Sequence, residues 1–249
     1  MIQIIRIKGI PIIKPGDNIA EIIFHTVSKQ LPFMEKDILV IAQSIVSRAE
    51  GRIINWTKIV PTPEAIKLGK ELNKDPRLVN LILNESVSIS RKGHGKLIVE
   101  LESGIVCANA GIDRSNSGGK DLVTLLPKDA DKSAKEIREK IKHLSGLDVG
   151  IIISDTHGRP FRNGAINIAL GISGFKNGIL NYIGKKDLFN YKLESTVVNI
   201  VDELASAAEL VMGESNEAIP VVLIRGYNFE IGNDTSKSLI RQKKYDLFR

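Results

Sequence analysis

The sequence contains a single cysteine, Cys107, among its 249 residues. One cysteine can form neither an internal disulfide nor a cysteine-based zinc cage, which excludes both kinds of stabilised scaffold. The sequence also has no apolar run near the roughly 20 residues that a membrane-spanning helix needs. Its N-terminus alternates apolar and polar residues and lacks the layout of a signal peptide. We therefore expect a cytoplasmic enzyme with no membrane partner.

Positive charge is not gathered into one long run, although the formal net charge is +6. Lys and Arg are scattered among acidic residues, and the basic tail, residues 237–249, is sparse in aromatic side chains. Such a tail is more typical of a solvated terminus than of a nucleic-acid-binding arm. An Ile- and Lys-rich composition is also typical of an AT-biased genome. We therefore expect no nucleic-acid partner, and the basic balance is compatible with anionic small-molecule substrates.

The sequence lacks a Walker A phosphate-binding loop, an internal repeat and a low-complexity linker. The glycines and lysines of residues 91–96 have the wrong spacing for a Walker A loop, and no Ser or Thr follows Lys96. We predict a flexible loop there. Because no shift in composition marks a boundary, we predict one unit over residues 1–249, and the sequence defines no boundary between lobes within it.

Hydrophobic periodicity predicts helices and strands along the whole chain. The strands occur both in hairpins and between helices, which favours an α+β fold with mixed sheets over a purely parallel sheet. Asp17 is the expected N-cap of a helix that ends near Gln30, and Asp131 is the expected N-cap of a helix over 132–145. Further helices are expected from residue 63, over 76–85 and over 201–212, and strands over 2–8, 37–42, 96–102, 105–108, 149–153, 193–198 and 219–224.

The stretch around which the chain is organised begins with an apolar, β-branched run over residues 149–153. This run predicts a buried strand followed by a polar turn. Residues 154–156, Ser-Asp-Thr, follow it, and hard oxygen ligands on a rigid support suit Mg²⁺ or Mn²⁺. Arg159 and Arg162 lie just beyond, where they can neutralise phosphate oxygens. An Asp-Thr turn with surface arginines explains the same residues equally well.

Two further acids follow predicted elements and lie beside small residues. Asp113 is in the stretch 109–116 after a predicted hairpin, and Glu214 follows the predicted helix over 201–212. With Asp155 they make a set of carboxylates that suggests a two-metal site for phosphoryl transfer. The alternative for residues 109–116 is an Asx-rich turn whose side chains only cap their own backbone.

Several motifs in a fixed order give the chain a more specific resemblance. They run from about residue 5 to residue 226 and leave the C-terminal tail outside. The motifs are Gly9-Ile10-Pro11-Ile12-Ile13-Lys14, Ser47-Arg48-Ala49-Glu50-Gly51-Arg52, Asp75-Pro76-Arg77-Leu78-Val79, Asn109-Ala110-Gly111-Ile112-Asp113-Arg114-Ser115-Asn116, Ser154-Asp155-Thr156-His157-Gly158-Arg159 and Ala208-Glu209-Leu210-Val211-Met212-Gly213-Glu214. In these motifs the chain resembles the coenzyme F-420-0:L-glutamate ligase family, the gamma-glutamyl ligases of deazaflavin biosynthesis.

The resemblance implies an archaeal-type, GTP-dependent ligase that joins L-glutamate to the lactyl carboxylate of a deazaflavin precursor. Many members of the family add a second glutamate through a gamma link. The resemblance also implies a divalent metal, Mg²⁺ or Mn²⁺, together with K⁺ as a monovalent cation. It further implies an α+β architecture of two intimately associated lobes in an entwined homodimer. GTP, L-glutamate and the precursor are then the partners of the chain.

Site residues also follow from the resemblance. It makes Asp155 and Arg159 catalytic, and it makes Asp113, Asp155, Thr156 and Glu214 the metal ligands. The residues implied for the nucleotide site are Ile10, Pro11, Ile12, Ile13, Gln43, Ser44, Arg48, Asn116, Met212, Gly213, Glu214, Ser215, Asn216 and Glu217.

Three positions depart from the pattern of the family. Arg48 stands where members often carry Lys, and Gln43 stands where Ser or Thr is common. Both changes can alter nucleotide choice, because a planar guanidinium and a compact ammonium bind phosphate differently. His157 stands where Phe or Asn often follows the Asp-Thr pair, and it inherits no role.

The expected mechanism begins with transfer of the γ-phosphoryl group of GTP to the acceptor carboxylate. The amine of glutamate then attacks the resulting acyl phosphate. Arg48, Arg159 or Arg162 would stabilise the phosphoryl charge, and the sequence does not distinguish among them. The alternative function is another acid–amine ligase, or a metal-dependent phosphatase, with a different acceptor on the same scaffold.

Overall fold

The structure is a computed structural model that describes residues 1–248. It combines α-helices with several β-sheets, as the predicted α+β class requires. The strands are β1 Gln3–Arg6, β2 Ile38–Ala42, β3 Ile53–Asn55, β4 Ser88–Gly93, β5 Lys96–Glu100, β6 Val106–Ala108, β7 Leu122–Thr124, β8 Gly150–Gly158, β9 Ala165–Phe175, β10 Ile179–Asn181, β11 Val197–Asn199, β12 Val221–Arg225 and β13 Ile231–Gly232.

The α-helices are all shorter than a membrane span. They are α1 Ile19–Ser28, α2 Gln43–Ala49, α3 Pro63–Leu72, α4 Pro76–Asn84, α5 Ala130–Ser145 and α6 Ile200–Met212. Within residues 1–248, no helix has the length and apolar character needed to cross a bilayer. Short 3₁₀ turns cover Trp56–Lys58, Asn109–Gly111, Ser236–Leu239 and Lys243–Tyr245.

A six-stranded sheet in the order β1-β12-β2-β8-β9-β13 forms the centre of the molecule. β2 and β8 are parallel, with Ile38 opposite Gly150, and the other neighbouring strands in this sheet are antiparallel. β2 pairs with β8 only as far as Ala42 opposite Ser154. The second half of β8 therefore extends beyond β2 and pairs with β9.

Helices cover both faces of the central sheet. Alternate residues of a strand point to opposite faces, so Leu39 packs toward α1 and α5, whereas Val40 packs toward α6. Ile151 and Ile152 divide in the same way along β8 and are fully buried. Burying one such side chain contributes about 1.5–3 kcal/mol relative to leaving it exposed, so the apolar runs hold the sheet between its two helical layers.

Residues 53–124 form smaller hydrophobic cores of their own beside the central sheet. β3 pairs with β7, β4, β5 and β6 form a three-stranded sheet, and α3 packs against α4. Leu68 of α3, Val79 of α4 and Leu97 of β5 share one buried cluster, and Trp56 belongs to a second one. This region carries the loop that contains Asp113.

Two predicted N-caps are wrong. The side chain of Asn18, not Asp17, caps α1 by accepting the N–H of Glu21 at 3.2 Å, whereas Asp17 accepts the N–H of Lys14 at 2.8 Å. Asp129 caps α5, since its carboxylate accepts the N–H of Lys132 at 2.9 Å. In both cases a nearby residue also has a side chain that can cap a helix. The residue that does so has non-helical backbone dihedrals, with φ −80° and ψ 87° at Asn18 and φ −144° and ψ 94° at Asp129.

Asp131, which the sequence predicted to cap α5, instead binds backbone groups of other elements. Asp131 lies inside the helix and accepts the N–H of Ile172 at 2.8 Å and the N–H of Ser236 at 2.9 Å. It therefore joins α5 to β9 and to the C-terminal segment. No local sequence pattern contains these contacts, because the partners lie 41 and 105 residues away.

Two further predictions need correction. Residues 91–96 form the tip of the β4–β5 hairpin instead of a flexible loop, with His94 and Gly95 at positive φ in its turn. The strand predicted over 193–198 is reduced to β11, because only Val197 to Asn199 find a partner in β10.

Candidate functional site

The second half of β8 holds the predicted catalytic motif. The sequence predicts a turn after Ile153, but Ser154 to Gly158 continue as strand because β9 pairs with them. The register shifts there: Ile153 lies opposite Gly171, and Ser154 lies opposite Ala169. This irregularity is a β-bulge, which bends a strand and redirects its side chains. The predicted site residues of β8 thus lie on rigid strand.

A polar stripe of α6 anchors this helix to the bulge. Asp202 Oδ1 accepts the N–H of Ala169 at 2.8 Å, and Ser206 Oγ donates to the carbonyl of Asn167 at 2.8 Å. One turn further, Asn167 Nδ2 donates to Glu209 Oε2 at 2.8 Å. Residues spaced by three or four lie on one face of a helix, so these bonds fix both the position and the rotation of α6.

Asn167 is the centre of these contacts. Its side chain is 2% exposed, and its amide also donates to Ser154 Oγ at 3.3 Å. It therefore links β8, β9 and α6 at one point. The bonds leave the carboxylate of Glu209 next to the acids that the sequence selected.

Glu209 shares its surroundings with several carboxylates. Burial raises the pKa of Glu209 to about 7, and the charge of Glu214, with which its carboxyl shares a hydrogen bond, adds to the shift. Glu217 and Asp155 contribute to the same rise in the pKa of Glu209. Like charges this close repel one another, so the group favours a bound cation or a shared proton.

Sequence reasoning missed Glu209 as a site residue, although it lies within one of the recognised motifs. The available signal was the spacing of Asp202, Ser206 and Glu209, a polar stripe on a helix whose other inward residues are apolar. The structure adds what the stripe contacts.

The remaining neighbours of Asp155 are His157 and Cys107. His157 Nε2 lies 3.1 Å from Asp155 Oδ2, and the imidazole is largely buried. Burial raises the pKa of the Cys107 thiol to about 12, and the charge of Asp155 adds to that rise. Cys107 is therefore a neutral buried thiol in β6.

Three residues predicted for the nucleotide site come together from separate segments. The guanidinium of Arg48 in α2 donates to the carbonyl of Asn116. Asn116 Nδ2 in turn donates to the carbonyl of Ser215 at 3.3 Å. The loop 213–217 is exposed, and Glu217 accepts the N–H of Ser215 at 2.8 Å. Of these groups, the guanidinium of Arg48 has the charge and the donors that suit a phosphate-bearing ligand.

Other predicted nucleotide contacts have different surroundings. Ile13 is 2% exposed and belongs to the core, so its side chain is not free to contact a nucleotide, whereas Ile12 is exposed. Gln43 is buried, and its side-chain oxygen accepts a bond from Ser47 Oγ at 2.9 Å. Pro11 is exposed, Ile10 is partly exposed, and Ser44 is partly exposed at the start of α2.

The predicted ligand Asp113 forms the Asx-type turn that was the alternative interpretation. Its carboxylate accepts the N–H of Ser115 at 2.8 Å and the Ser115 hydroxyl, and its backbone bridges to Thr124. The same loop holds Asn109 and Ala110 at positive φ. Non-glycine residues in this region store strain, which is common at functional loops. Asp113 remains exposed.

Arg159 closes the connection between β8 and β9, where Nη1 donates to the carbonyl of Gly164 at 2.9 Å. Within residues 1–248, no group of three or more His, Cys, Asp or Glu side chains has the arrangement needed to hold a metal ion by itself. The donors on β8 and after α6 are carboxylates and the Thr156 hydroxyl, which is the chemistry that Mg²⁺ and Mn²⁺ prefer. The repulsion around Glu209 fits a cation at this place.

Comparison with known proteins shows the family of the chain. The family described as F420-0:gamma-glutamyl ligase matches residues 8–226. The chain is 46% identical over 242 residues to the coenzyme F420:L-glutamate ligase of Methanocaldococcus jannaschii, covering 96% of this chain and 94% of that protein. It is 43% identical over 251 residues to the protein of that name from Methanothermobacter thermautotrophicus, covering 100% of this chain and 99% of that protein. The resemblance seen in the sequence is confirmed: the chain belongs to the F420-0:gamma-glutamyl ligase family.

Proposed function

We propose that this protein is a GTP- and metal-dependent ligase that joins L-glutamate to the deazaflavin precursor F420-0. The observation that carries the proposal is the match along nearly the whole chain to ligases named for F420 and L-glutamate. The acids around Glu209 and the contacts of Arg48, Asn116 and Ser215 support it, because they offer a cation site and a phosphate-binding surface.

The proposed metal ligands are Asp155 and Thr156 on β8, Glu214 after α6, and Asp113 on its strained loop. When bound, Mg²⁺ or Mn²⁺ offsets the negative charge of the phosphate groups during transfer. We include K⁺ as an accompanying monovalent cation. Asn167 holds Glu209 beside these ligands, since its amide connects the two strands to α6.

The chemistry divides into two steps. The γ-phosphoryl group passes from GTP to the acceptor carboxylate of F420-0, which gives GDP and an acyl phosphate. The amine of glutamate then attacks the acyl carbon, an amide bond forms, and phosphate leaves. Arg48 lies at the nucleotide surface and Arg159 at the end of β8, so both can bind the phosphoryl oxygens.

A direct assay tests the proposal. The protein is incubated with GTP, Mn²⁺ or Mg²⁺, K⁺, L-glutamate and F420-0, and the products are read by mass spectrometry. We expect F420-0 heavier by one or two glutamyl units, with GDP released only when F420-0 is present. GDP release without a glutamylated product would indicate a different acceptor or a phosphatase. No turnover of GTP would contradict the proposal.

We also propose that the protein forms a homodimer. Large apolar side chains are exposed on the segment between β10 and β11, among them Leu188 at 96% and Phe189 at 89%. Exposed apolar patches of this kind mark interaction surfaces. Light scattering after size exclusion should give a dimer mass for the wild type and a monomer mass for Phe189→Asp. Val60→Asp, which changes another exposed apolar residue, is the control and should stay dimeric. A monomeric wild type would disprove the dimer.

A further inference from the structure

Two arginines pack on the indole ring of Trp56. The Cζ atoms of Arg77 and Arg114 lie 4.8 Å and 5.2 Å from the ring centroid. The ring itself is held firmly, since Trp56 is 9% exposed and its Nε1 donates to the carbonyl of Lys120 at 3.3 Å. A cation over an aromatic face gains attraction from the ring, so the indole fixes both guanidinium groups.

The two arginines differ in how their charge is balanced. Asp75 binds Arg77 through Nε at 3.0 Å and Nη2 at 2.7 Å, and the carbonyl of Thr57 accepts a further bond from Arg77 Nη1. Arg114 is exposed, and its guanidinium makes no hydrogen bond or ion pair with any residue between 1 and 248. The charge of Arg114 contributes to the lowered pKa of Asp75, but the carboxylate of Asp75 is already paired with Arg77. Arg114 is therefore held in position without a counter-ion of its own.

Two lysines add to this positive charge. Lys74 directly precedes Asp75, and Asp75 binds the arginine that shares the ring of Trp56 with Arg114. Burial lowers the pKa of Lys74, and the charges of Lys96 and Arg114 lower it further. Over the described residues, neither lysine ammonium forms a salt bridge. The N–H of Leu97 donates to Asn109 Oδ1 at 3.3 Å, which ties the start of β5 to the loop of Arg114. The fold thus keeps these cations together against their repulsion.

We propose that Lys74, Lys96 and Arg114 form a binding site for an oxyanion, a carboxylate or phosphate group of an acidic substrate. Arg114 presents a planar set of donors that matches either group, and lysine adds a mobile ammonium. Arg114 directly follows Asp113, so a group bound there lies beside the proposed metal site. The choice of a substrate as the ligand rests on the proposed function, whereas anion binding itself can be measured without turnover.

Trp56 is the only tryptophan in the chain, so its fluorescence reports on this site directly. The full-length protein is titrated separately with inorganic phosphate, L-glutamate and GTP. We expect a saturable change in emission with at least one of them. Lys74→Gln should raise the midpoint about tenfold, since a charge-assisted contact is lost. Lys70→Gln removes the same charge from an exposed position on α3 and should leave the midpoint unchanged.

Arg114→Gln gives an independent test through steady-state kinetics. We expect KM to rise about tenfold for one acidic substrate, with kcat within about twofold of the wild type. A rise in KM for GTP identifies a phosphate as the ligand, a rise for L-glutamate identifies a carboxylate, and a rise for F420-0 places an acidic group of the precursor there. Circular dichroism of each variant confirms that it is folded.

The proposal is overturned if no ligand changes the emission of Trp56, or if wild type, Lys74→Gln and Arg114→Gln bind equally well. These results are separate from the fate of the ligase assignment. A protein that binds anions at Trp56 but makes no glutamylated product keeps the site and loses the proposed function. A protein that glutamylates F420-0 with unchanged binding in both variants loses only the anion site.

Discussion

A cluster of acidic side chains and a cluster of basic side chains lie in different parts of the molecule. The acids around Glu209 belong to the central sheet and α6, whereas the cations around Lys74 belong to residues 53–124. Burial and repulsion raise the pKa of Glu209 and lower the pKa of Lys74, so each group is driven toward its neutral form. In both places a ligand of opposite charge would remove the repulsion.

The two groups differ in how they are held. Among the acids, Asp155 lies on β8 beside the β-bulge, and Glu209 is fixed there by a hydrogen bond from Asn167. The cations extend from a hairpin and loops, and only Arg114 is fixed, by the face of Trp56. A metal needs ligands in set directions and therefore a rigid support, whereas an anion held by charge accepts a looser one.

The largest effect should come from removing one acid of the bulge. Asp155→Asn keeps the size of the side chain but removes the charge of a proposed metal ligand, worth several kcal/mol, so kcat/KM should fall about a thousandfold. The measurement is GDP release coupled to glutamylation of F420-0. Glu203→Gln, an exposed acid of α6, is the control and should remain active. A folded Asp155→Asn protein with full activity would contradict the metal assignment.

A smaller effect should follow when the support of the acids is removed. Asn167→Ala deletes the donor to Glu209 Oε2, and the Glu209 carboxyl shares a hydrogen bond with the proposed ligand Glu214. Loss of a residue that orients a metal ligand from behind typically costs ten- to a hundredfold in metal affinity. We expect the Kd for Mn²⁺, measured by electron paramagnetic resonance, to rise about tenfold. Ser206→Ala removes only the anchor one turn earlier, so its Kd should stay near that of the wild type. Equal Kd values in both variants would make Asn167 merely structural.

The smallest effect is on stability as a function of pH. The folded-state pKa of Glu209, about 7, lies above its ordinary value of 4.5. Its contribution to stability is therefore complete below pH 4.5 and is lost as pH rises through about 7. Without metal, Glu209→Gln should melt a few degrees above the wild type at pH 8, and the gap should shrink toward pH 5.

Added Mn²⁺ should reduce this gap, since the cation then offsets the carboxylates of the wild type. Thermal melting in a chelator and in Mn²⁺, at both pH values, makes the comparison. A difference in melting temperature between the two proteins that stays constant across the pH range would show that repulsion at Glu209 does not lower stability.

The sequence alone determined several of the buried elements and the family. The apolar runs of β2 and β12 and the periodic face of α6 predicted these elements to within a few residues, because burial on a sheet or helix leaves a local pattern. The ordered motifs were sufficient to identify the family. Both signals are contained in short stretches of chain.

Tertiary structure decided what depends on partners far along the chain. β8 continues past Ile153 because β9 pairs with it, and Glu209 becomes a neighbour of Asp155 because Asn167 anchors α6 at the bulge. Arg114 likewise meets Trp56 across 58 residues. Such contacts arise only when separate elements pack together, and no local propensity or periodicity encodes them.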